Sequence, residues 1–280
     1  MSTQSAEREF ELTEAEFNRL RELVHEHTGI ALSDSKRELV YGRLARRVRK
    51  LGLATFADYC ALVERGHPEE LQELANAITT NLTSFFRENH HFEELATTVL
   101  PQLERKRAAA RRLRLWSAGC STGEEPYSIA IVLREALAQL RNWDVKLLAT
   151  DIDSNVLATA ADGVYRADRF QGVPAERMKH WFAPATGRPA HFAAAAELKA
   201  LITFKQLNLL DPWAMKGPFD VIFCRNVVIY FNKTTQRELF DRMAELQEPG
   251  AWLFIGHSEN LYNVTHRYKL VSRTIYRRVE

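Results

Sequence analysis

The sequence predicts an α/β fold preceded by an all-helical region. Three observations carry that reading. The first 90 or so residues show helical amphipathic periodicity and no strand pattern. From residue 113 onward, short apolar runs alternate with helical segments, as in a parallel sheet buried on both faces. Residues 163–200, rich in Ala, Pro, Gly and Arg, break that alternation, as an inserted subdomain would.

The elements follow in order. Thr13-Glu14-Ala15-Glu16 has capping-box spacing, Phe17, Leu20, Val24 and His27 continue on one face, and Gly29 stops the helix. Ser33 or Asp34 caps the next helix, which carries Val40, Leu44, Val48 and Leu51 on one face and ends near Gly52. Two shorter helices are expected over 55–65 and 69–80, and one more over 90–112, whose basic tail reads as a linker. Strands are expected at Leu113–Ala118, Val145–Thr150, Ile202–Leu207, Phe219–Cys224 and Trp252–Ile255. Helices at 124–140, 154–161 and 233–246 lie between them, and Tyr268–Val279 reads as an antiparallel hairpin. The expected domains are 1–90, helical, and 91–280, α/β, with the insertion at about 163–200.

Composition narrows the partners. The 280 residues hold 38 Lys and Arg against 36 Asp and Glu, a net charge of +2, so an electrostatic partner must be met by a local patch. The three cysteines stand singly, with no disulfide framework and no CxxC knuckle, which suits a reducing compartment. No apolar run reaches the roughly 18 residues that span a bilayer, and the acidic N-terminus lacks a leader pattern. A cytoplasmic protein without membrane insertion is expected.

The strand tips carry the chemistry. The first strand leads into Gly119-Cys120-Ser121-Thr122-Gly123-Glu124-Glu125, whose glycines have G-x-x-x-G spacing. This is neither a pyrophosphate loop nor a P-loop, and the adjacent acids would repel phosphate but suit a cationic or hydroxyl-rich ligand. A tight strand–helix turn with acids at the helix N-terminus explains the loop equally well. The second strand ends at Asp151, where an acid accepts hydrogen bonds from ribose hydroxyls, while Asp153 or Ser154 caps the following helix. Loop and acid together point to an adenosyl ligand without pyrophosphate, with S-adenosylmethionine the common candidate.

Five segments extend the reading: Thr79-Thr80-Asn81-Leu82-Thr83-Ser84-Phe85-Phe86-Arg87, Ser121 to Ser128, Thr150 to Asp153, Phe223-Cys224-Arg225-Asn226-Val227-Val228-Ile229-Tyr230-Phe231, and Gly256-His257-Ser258-Glu259-Asn260. In this order they resemble the CheR family of chemotaxis-receptor protein-glutamate O-methyltransferases, from about residue 10 to the end. The resemblance implies a helical substrate-recognition domain and a Rossmann-like S-adenosylmethionine-dependent methyltransferase domain. It also implies methylation of glutamate side chains on the cytoplasmic domain of methyl-accepting chemotaxis receptors during adaptation, with S-adenosylhomocysteine as product. Carried over by motif, the cofactor contacts are Asn81, Thr83, Arg87, Glu125, Asp151, Asn208, Leu209, Arg225 and Asn226. Arg87 and Tyr230 are the catalytic candidates, Tyr230 bordering the transferred methyl and either Arg87 or Arg225 orienting the incoming carboxylate. The insertion corresponds to a small β-subdomain that in some members grips a receptor peptide; His191-Phe192-Ala193-Ala194-Ala195-Ala196 is poor in β-formers and glycine.

A glutamate carboxylate, with a reference pKa of about 4.3, needs no general base at neutral pH, so catalysis rests on positioning. No metal is expected, because His90, His91, His257 and His266 look dispersed. Lys36 to Lys50 contains seven basic residues and one acid, Glu38. Lys36, Arg43, Arg47 and Lys50 share one helical stripe and are the substrate-binding candidates, either for an acidic receptor helix or as a solvated face. Nucleic acid is the rival occupant, but stacking aromatics beside the patch and an Asn/Asp-Pro-Pro-Tyr/Phe motif are absent from the sequence. A non-enzymatic binding module is the other rival. No nucleic-acid partner and a monomer are expected.

Overall fold

The computed structural model describes residues 9–137 and 142–279. They divide into two compact units, Met1–Thr80 and Asn81–Glu280, so the segment 81–90 belongs with the second unit, not with the helices before it.

Among the described residues the first unit holds four α-helices. In α1 (Glu14–Thr28), Thr13 and Glu16 form the capping box and Gly29, at φ +72°, ends the helix. A single 3₁₀ turn, Asp34–Lys36, follows Ser33, whose side chain makes no capping bond, and leads into α2 (Arg37–Lys50). Helix α3 (Phe56–Glu64) starts from a Thr55–Asp58 capping box, and α4 (Pro68–Ile78) has proline at its start, where the missing N–H costs nothing. Phe17, Leu20 and Val24 of α1 pack with Val40, Leu44 and Val48 of α2, Phe56 and Tyr59 of α3, and Leu74 and Ile78 of α4.

The basic stripe of α2 is divided. Arg43 Nη1 donates to the carbonyls of Ala77, Ile78 and Thr79 at 3.2, 2.8 and 2.7 Å, a cation on the C-terminal end of α4. Arg47 Nε donates to Glu70 Oε1 at 2.9 Å and its Nη1 to Glu73 Oε2 at 3.0 Å. These two guanidinium groups hold α2 to α4 and do not point away from the unit as the stripe suggests. Lys36, Arg46, Arg49 and Lys50 are the exposed cations of this stretch, and Arg49 is paired with Glu9.

The second unit begins with α5 (His90–Glu94), a π-helical turn (Leu95–Val99) and α6 (Leu100–Lys106). The expected helix over 90–112 therefore ends early. Its basic tail is no linker: Arg107 Nε donates to Asp220 Oδ1 at 2.7 Å, and Asp220 Oδ2 accepts the Arg114 N–H at 2.9 Å.

The main sheet contains β1 (Arg112–Ala118), β2 (Asp144–Asp151), β6 (Ile202–Gln206), β7 (Val221–Cys224), β8 (Trp252–Ile255), β9 (Tyr268–Ser272) and β10 (Ile275–Arg278), in the order β6-β2-β1-β7-β8-β10-β9. The first five run parallel, and β10 and β9 close the sheet antiparallel. Helices α7 (Glu124–Ala136), α8 (Ser154–Asp162) and α11 (Lys233–Glu245) follow β1, β2 and β7. The last few residues of the helix expected over 124–140 lie outside the described residues. Two cores cover the sheet, one around Leu115, Ile131, Phe223 and Phe254, the other around Trp116, Ile222, Phe240 and Leu253.

The insertion folds as a three-stranded antiparallel sheet of β3 (Val164–Arg166), β4 (Phe182–Pro184) and β5 (His191–Ala194), in the order β3-β5-β4, with α9 (Ala175–Trp181) and α10 (Ala196–Lys199). The Ala-rich run forms the middle strand despite its weak β-propensity. Phe192 supplies what it lacks by packing edge-to-face on Phe170 at 5.9 Å.

Arg47→Ala should destabilise the protein by about 3 kcal/mol or more, because Glu70, 5% exposed, is left buried without its cation. Arg46→Ala, at an exposed position, should change stability by less than about 0.5 kcal/mol. Urea unfolding of the two variants checks the pair.

Candidate active site

Strands β1, β2, β7 and β8 are parallel, so the residues at and just past their carboxyl ends meet along one edge of the sheet. Gly119, at φ +84°, lies so close to the loop after β7 that an added Cβ would sit 2.3 Å from Val227 Cγ2. Gly123, at φ +97°, has the Tyr165 hydroxyl 2.7 Å and Ala160 Cβ 2.8 Å from where its own Cβ would be. Both positions demand glycine, for conformation and for space.

Asp151 organises this loop. Its Oδ2 accepts the Ser121 N–H at 2.8 Å and its Oδ1 the Asp153 N–H at 3.0 Å. Burial pushes its carboxyl up to about 6, against the pull of those N–H groups. Asp153 is the cap of α8: its Oδ1 accepts from Asn155 and Val156, and its Oδ2 accepts from Asn81 Nδ2 at 2.7 Å. Asn81 in turn accepts from Ser121 Oγ through its carbonyl, at 3.0 Å. Asp151 is therefore a structural acceptor at the strand tip, beyond the ligand role expected for it.

The two adjacent acids are matched by arginines of the protein itself. Glu124, fully buried, pairs with Arg169 and accepts from Thr122 Oγ1 at 2.6 Å. Arg169 also donates to the Thr83 carbonyl at 3.0 Å. Glu125 accepts from Ser117 Oγ at 2.7 Å and from Arg225 Nη1 at 2.8 Å. Glu124 is thus not held open for a cationic ligand.

Arg225 stands at the centre, its side chain 2% exposed. Besides Glu125 it donates through Nη2 to the Arg87 carbonyl at 2.5 Å and lies 3.4 Å from Glu88 Oε2. Among the described residues its buried Nε has no hydrogen-bond partner. Glu88 also accepts from His257 through Nδ1 at 2.8 Å and through the backbone N–H at 3.1 Å, and from Asn226 Nδ2 at 3.4 Å. Burial works to raise the Glu88 carboxyl, but His257, Arg225 and Asn226 outweigh it and hold it at about 2. His91, fully buried with its Nδ1 3.7 Å from Glu88 Oε2, is pushed down to about 3 by burial and by Arg225, and stays neutral. The histidines are thus less dispersed than the sequence suggests. Glu88, His90 and His91 cluster closely enough to share an ion, but the cation facing Glu88 is Arg225.

A second acid holds the loop after β7. Glu259 accepts four backbone N–H groups: Val227 and Val228 on Oε1, both at 2.9 Å, Asn226 at 3.0 Å and Gly256 at 2.6 Å on Oε2. Asn226 is bent into the left-handed region, φ +58°, by this grip.

The remaining expected residues are placed as follows. Arg87 is half-buried, and its Nη1 donates to the Leu82 carbonyl at 2.7 Å. Tyr230 is half-buried in the 3₁₀ turn Val228–Tyr230. Asn208 follows β6 and accepts the Leu210 N–H at 3.1 Å. Leu209 is buried in the second core, and its carbonyl accepts from Arg242 at 2.9 Å. Sequence reasoning missed Glu88, Arg169 and Glu259 as site residues. Glu88 directly follows the TNLTSFFR segment and Glu259 lies inside GHSEN, so position in those segments was the available signal.

Residues 81–277 match the family model described as "CheR methyltransferase, SAM binding domain", and residues 15–79 that described as "CheR methyltransferase, all-alpha domain". The chain belongs to the CheR methyltransferase family. It is 47% identical over 270 residues to chemotaxis protein methyltransferase 2 of Pseudomonas aeruginosa, covering 96% of this chain and 94% of that one. It is 44% identical to a chemotaxis protein methyltransferase of Klebsiella aerogenes, over 95% of this chain and 90% of that one. The Escherichia coli protein of that name is 42% identical, over 95% and 91%. The helical unit and the α/β unit are thus the family's two domains, and the chain is an S-adenosylmethionine-dependent methyltransferase. Among the described residues no helix is long and apolar enough to cross a membrane.

Glu259→Gln should lower the stability of this CheR-family chain by about 2–3 kcal/mol, because an amide N–H₂ would face two of the four backbone donors. Thermal unfolding by near-UV circular dichroism measures the loss.

Proposed function

We propose that this chain transfers a methyl group from S-adenosylmethionine to glutamate side chains on the cytoplasmic domains of chemoreceptors, and that it works in the cytoplasm. The observation that carries the reading is the strand-tip cluster of Asp151, Glu125, Arg225 and Asn226, gathered behind two glycines that leave no room for a side chain. The donor set suits an adenosyl ligand. Asp151 is an acid at the strand tip where ribose hydroxyls find an acceptor, and no lysine stands in the loop 119–123 to bind phosphate. Asn81, Thr83, Arg87, Asn208 and Leu209 complete the proposed cofactor contacts. The proteins named chemotaxis protein methyltransferases, alike over nearly the full chain, support the receptor as substrate.

Bound S-adenosylmethionine supplies an electrophilic methyl on a sulfonium, which ends on a glutamate oxygen as a methyl ester while S-adenosylhomocysteine leaves. The protein's task is positioning. A glutamate carboxylate is ionised near neutrality, so no base must be provided. Arg87 orients the incoming carboxylate, and Tyr230 borders the methyl with its ring. Holding carboxylate and methyl in line is worth roughly 7–11 kcal/mol. The exposed cations Lys36, Arg46 and Lys50 are proposed to meet an acidic receptor helix, while Arg43 and Arg47 support them by fixing α2.

The direct test is methyl transfer from labelled S-adenosylmethionine to a receptor cytoplasmic fragment, with RNA as the alternative acceptor. Label should enter the receptor fragment only and be released as methanol in mild alkali, as esters are. Alkali-stable label, or label in RNA, would overturn the reading.

Two further outcomes are expected. Cofactor affinity should fall as pH drops through about 6, where Asp151 takes up its proton and loses acceptor strength. In Asp151→Asn that slope should vanish and affinity should be low throughout, read by calorimetry between pH 5 and 8. Charge reversal of Lys36, Arg46 and Lys50 should raise the receptor KM and flatten its salt dependence, leaving cofactor affinity unchanged. Screening over a Debye length of about 8–10 Å makes the wild-type KM rise with salt.

A further inference from the structure

We propose that Glu88 is a positioning residue for methyl transfer: its carboxylate clamps the Arg87 segment to the loops after β7 and β8 and so fixes Arg87 and Asn226 in the site. The proposal rests on the methyltransferase reading above and deepens it.

Two observations carry it. The first is local backbone conformation. Phe86 and Glu88 have φ of +54° and +59°, left-handed for two non-glycine residues on either side of Arg87. Such residues persist only where their surroundings over-determine them, and they gather at functional sites. The second is the set of bonds that does the determining. The Phe86 N–H donates to Ser128 Oγ on α7 at 3.0 Å, and the Arg87 carbonyl accepts from Arg225 at 2.5 Å. The Glu88 carboxylate then reaches both neighbouring loops, to Asn226 Nδ2 at 3.4 Å and to the His257 ring and backbone at 2.8 and 3.1 Å. It belongs to the Arg87 segment and touches both the loop following β7 and the loop following β8. Without it, Glu88 is held only through its backbone, its carbonyl accepting the His91 N–H at 3.0 Å, and its left-handed conformation loses its side-chain support. The segment then relaxes, the Arg87 carbonyl leaves Arg225, and Arg225 is left with Glu125 alone.

The conformational and the ionic roles are separable. Glu88→Gly suits a φ of +59° but has no carboxylate, and Glu88→Gln keeps the shape but loses the charge. His257→Ala removes one donor from a side chain that is 60% exposed and leaves the fold untouched. Cofactor affinity is read by calorimetry, and kcat and KM by transfer to the receptor fragment, both per folded molecule. Glu88→Gly and Glu88→Gln should each lose about tenfold in S-adenosylmethionine affinity, the size of one charge-assisted hydrogen bond, and kcat should fall as well. His257→Ala should show a smaller loss in the same direction. A merely structural role would reduce the folded fraction and leave the Kd and kcat of the folded remainder unchanged. Wild-type constants in folded Glu88→Gly overturn the proposal. If that variant does not fold, wild-type constants in His257→Ala overturn it. A wild-type protein that does not bind S-adenosylmethionine overturns the parent reading and this one together, whereas wild-type binding matched by Glu88→Gly overturns only the role of Glu88.

Discussion

The site depends on one buried guanidinium. Arg225 is enclosed by protein and carries a full positive charge, which is tolerable only because Glu125, Glu88 and the Arg87 carbonyl surround it. The partners come from two places in the chain: Glu125 from the start of α7, and Glu88 and the Arg87 carbonyl from the segment before α5. Satisfying one charge therefore fixes two pieces of chain against the end of β7. The carboxylates profit in return. Glu88 remains ionised while largely buried because His257 and the arginine face it, and Glu125 gains a charged partner. Glu259 does for backbone donors what Arg225 does for acids, drawing four N–H groups from two loops onto one side chain. The two groups lie next to each other in the fold, one holding the site from the cationic side and the other from the anionic side.

The acids at the strand tips show why a residue's chemistry and its place in a network have to be read together. Glu124 and Glu125 are adjacent, but one answers to Arg169 of the insertion and the other to Arg225 of the main sheet. A carboxylate matched by an internal cation shapes a cavity without offering it charge. Asp151 differs from both, since its partners are backbone N–H groups and its burial is not offset by a cation. That is why its carboxyl is drawn upward in pKa while Glu88 is drawn down.

Much of this was legible in the sequence, for identifiable reasons. Capping boxes, helix stops and apolar runs are local signals, and Thr13, Gly29 and the strands ending at Ala118 and Asp151 lie where those signals put them. The motif segments also come together, because strand tips of a parallel sheet must converge. What escaped was pairing across long stretches of chain. Nothing near Arg43 or Arg47 says that α4 will present carbonyls and acids to them, so a stripe of charge looked free when half of it was engaged. Arg107 looked like linker for the same reason, its partner Asp220 lying far along the chain. The weak strand His191–Ala194 forms because aromatic neighbours from elsewhere in the insertion cover it, which local propensity does not register.

The order of the last strands sets the timing of folding during synthesis. β10 lies between β8 and β9, so β8 has no neighbour on that side until residues 275–278 have been made. Strand β8 is Trp252–Ile255, wholly buried once the sheet is complete, and until then it is an apolar edge able to pair with another chain. The parallel sheet can begin to assemble from β1, β2 and β6 and grow as β7 and β8 emerge, but it is sealed only by a strand that arrives about two dozen residues after β8. The antiparallel pair β9–β10 is thus a closing element for a sheet whose parallel strands all precede it in the chain.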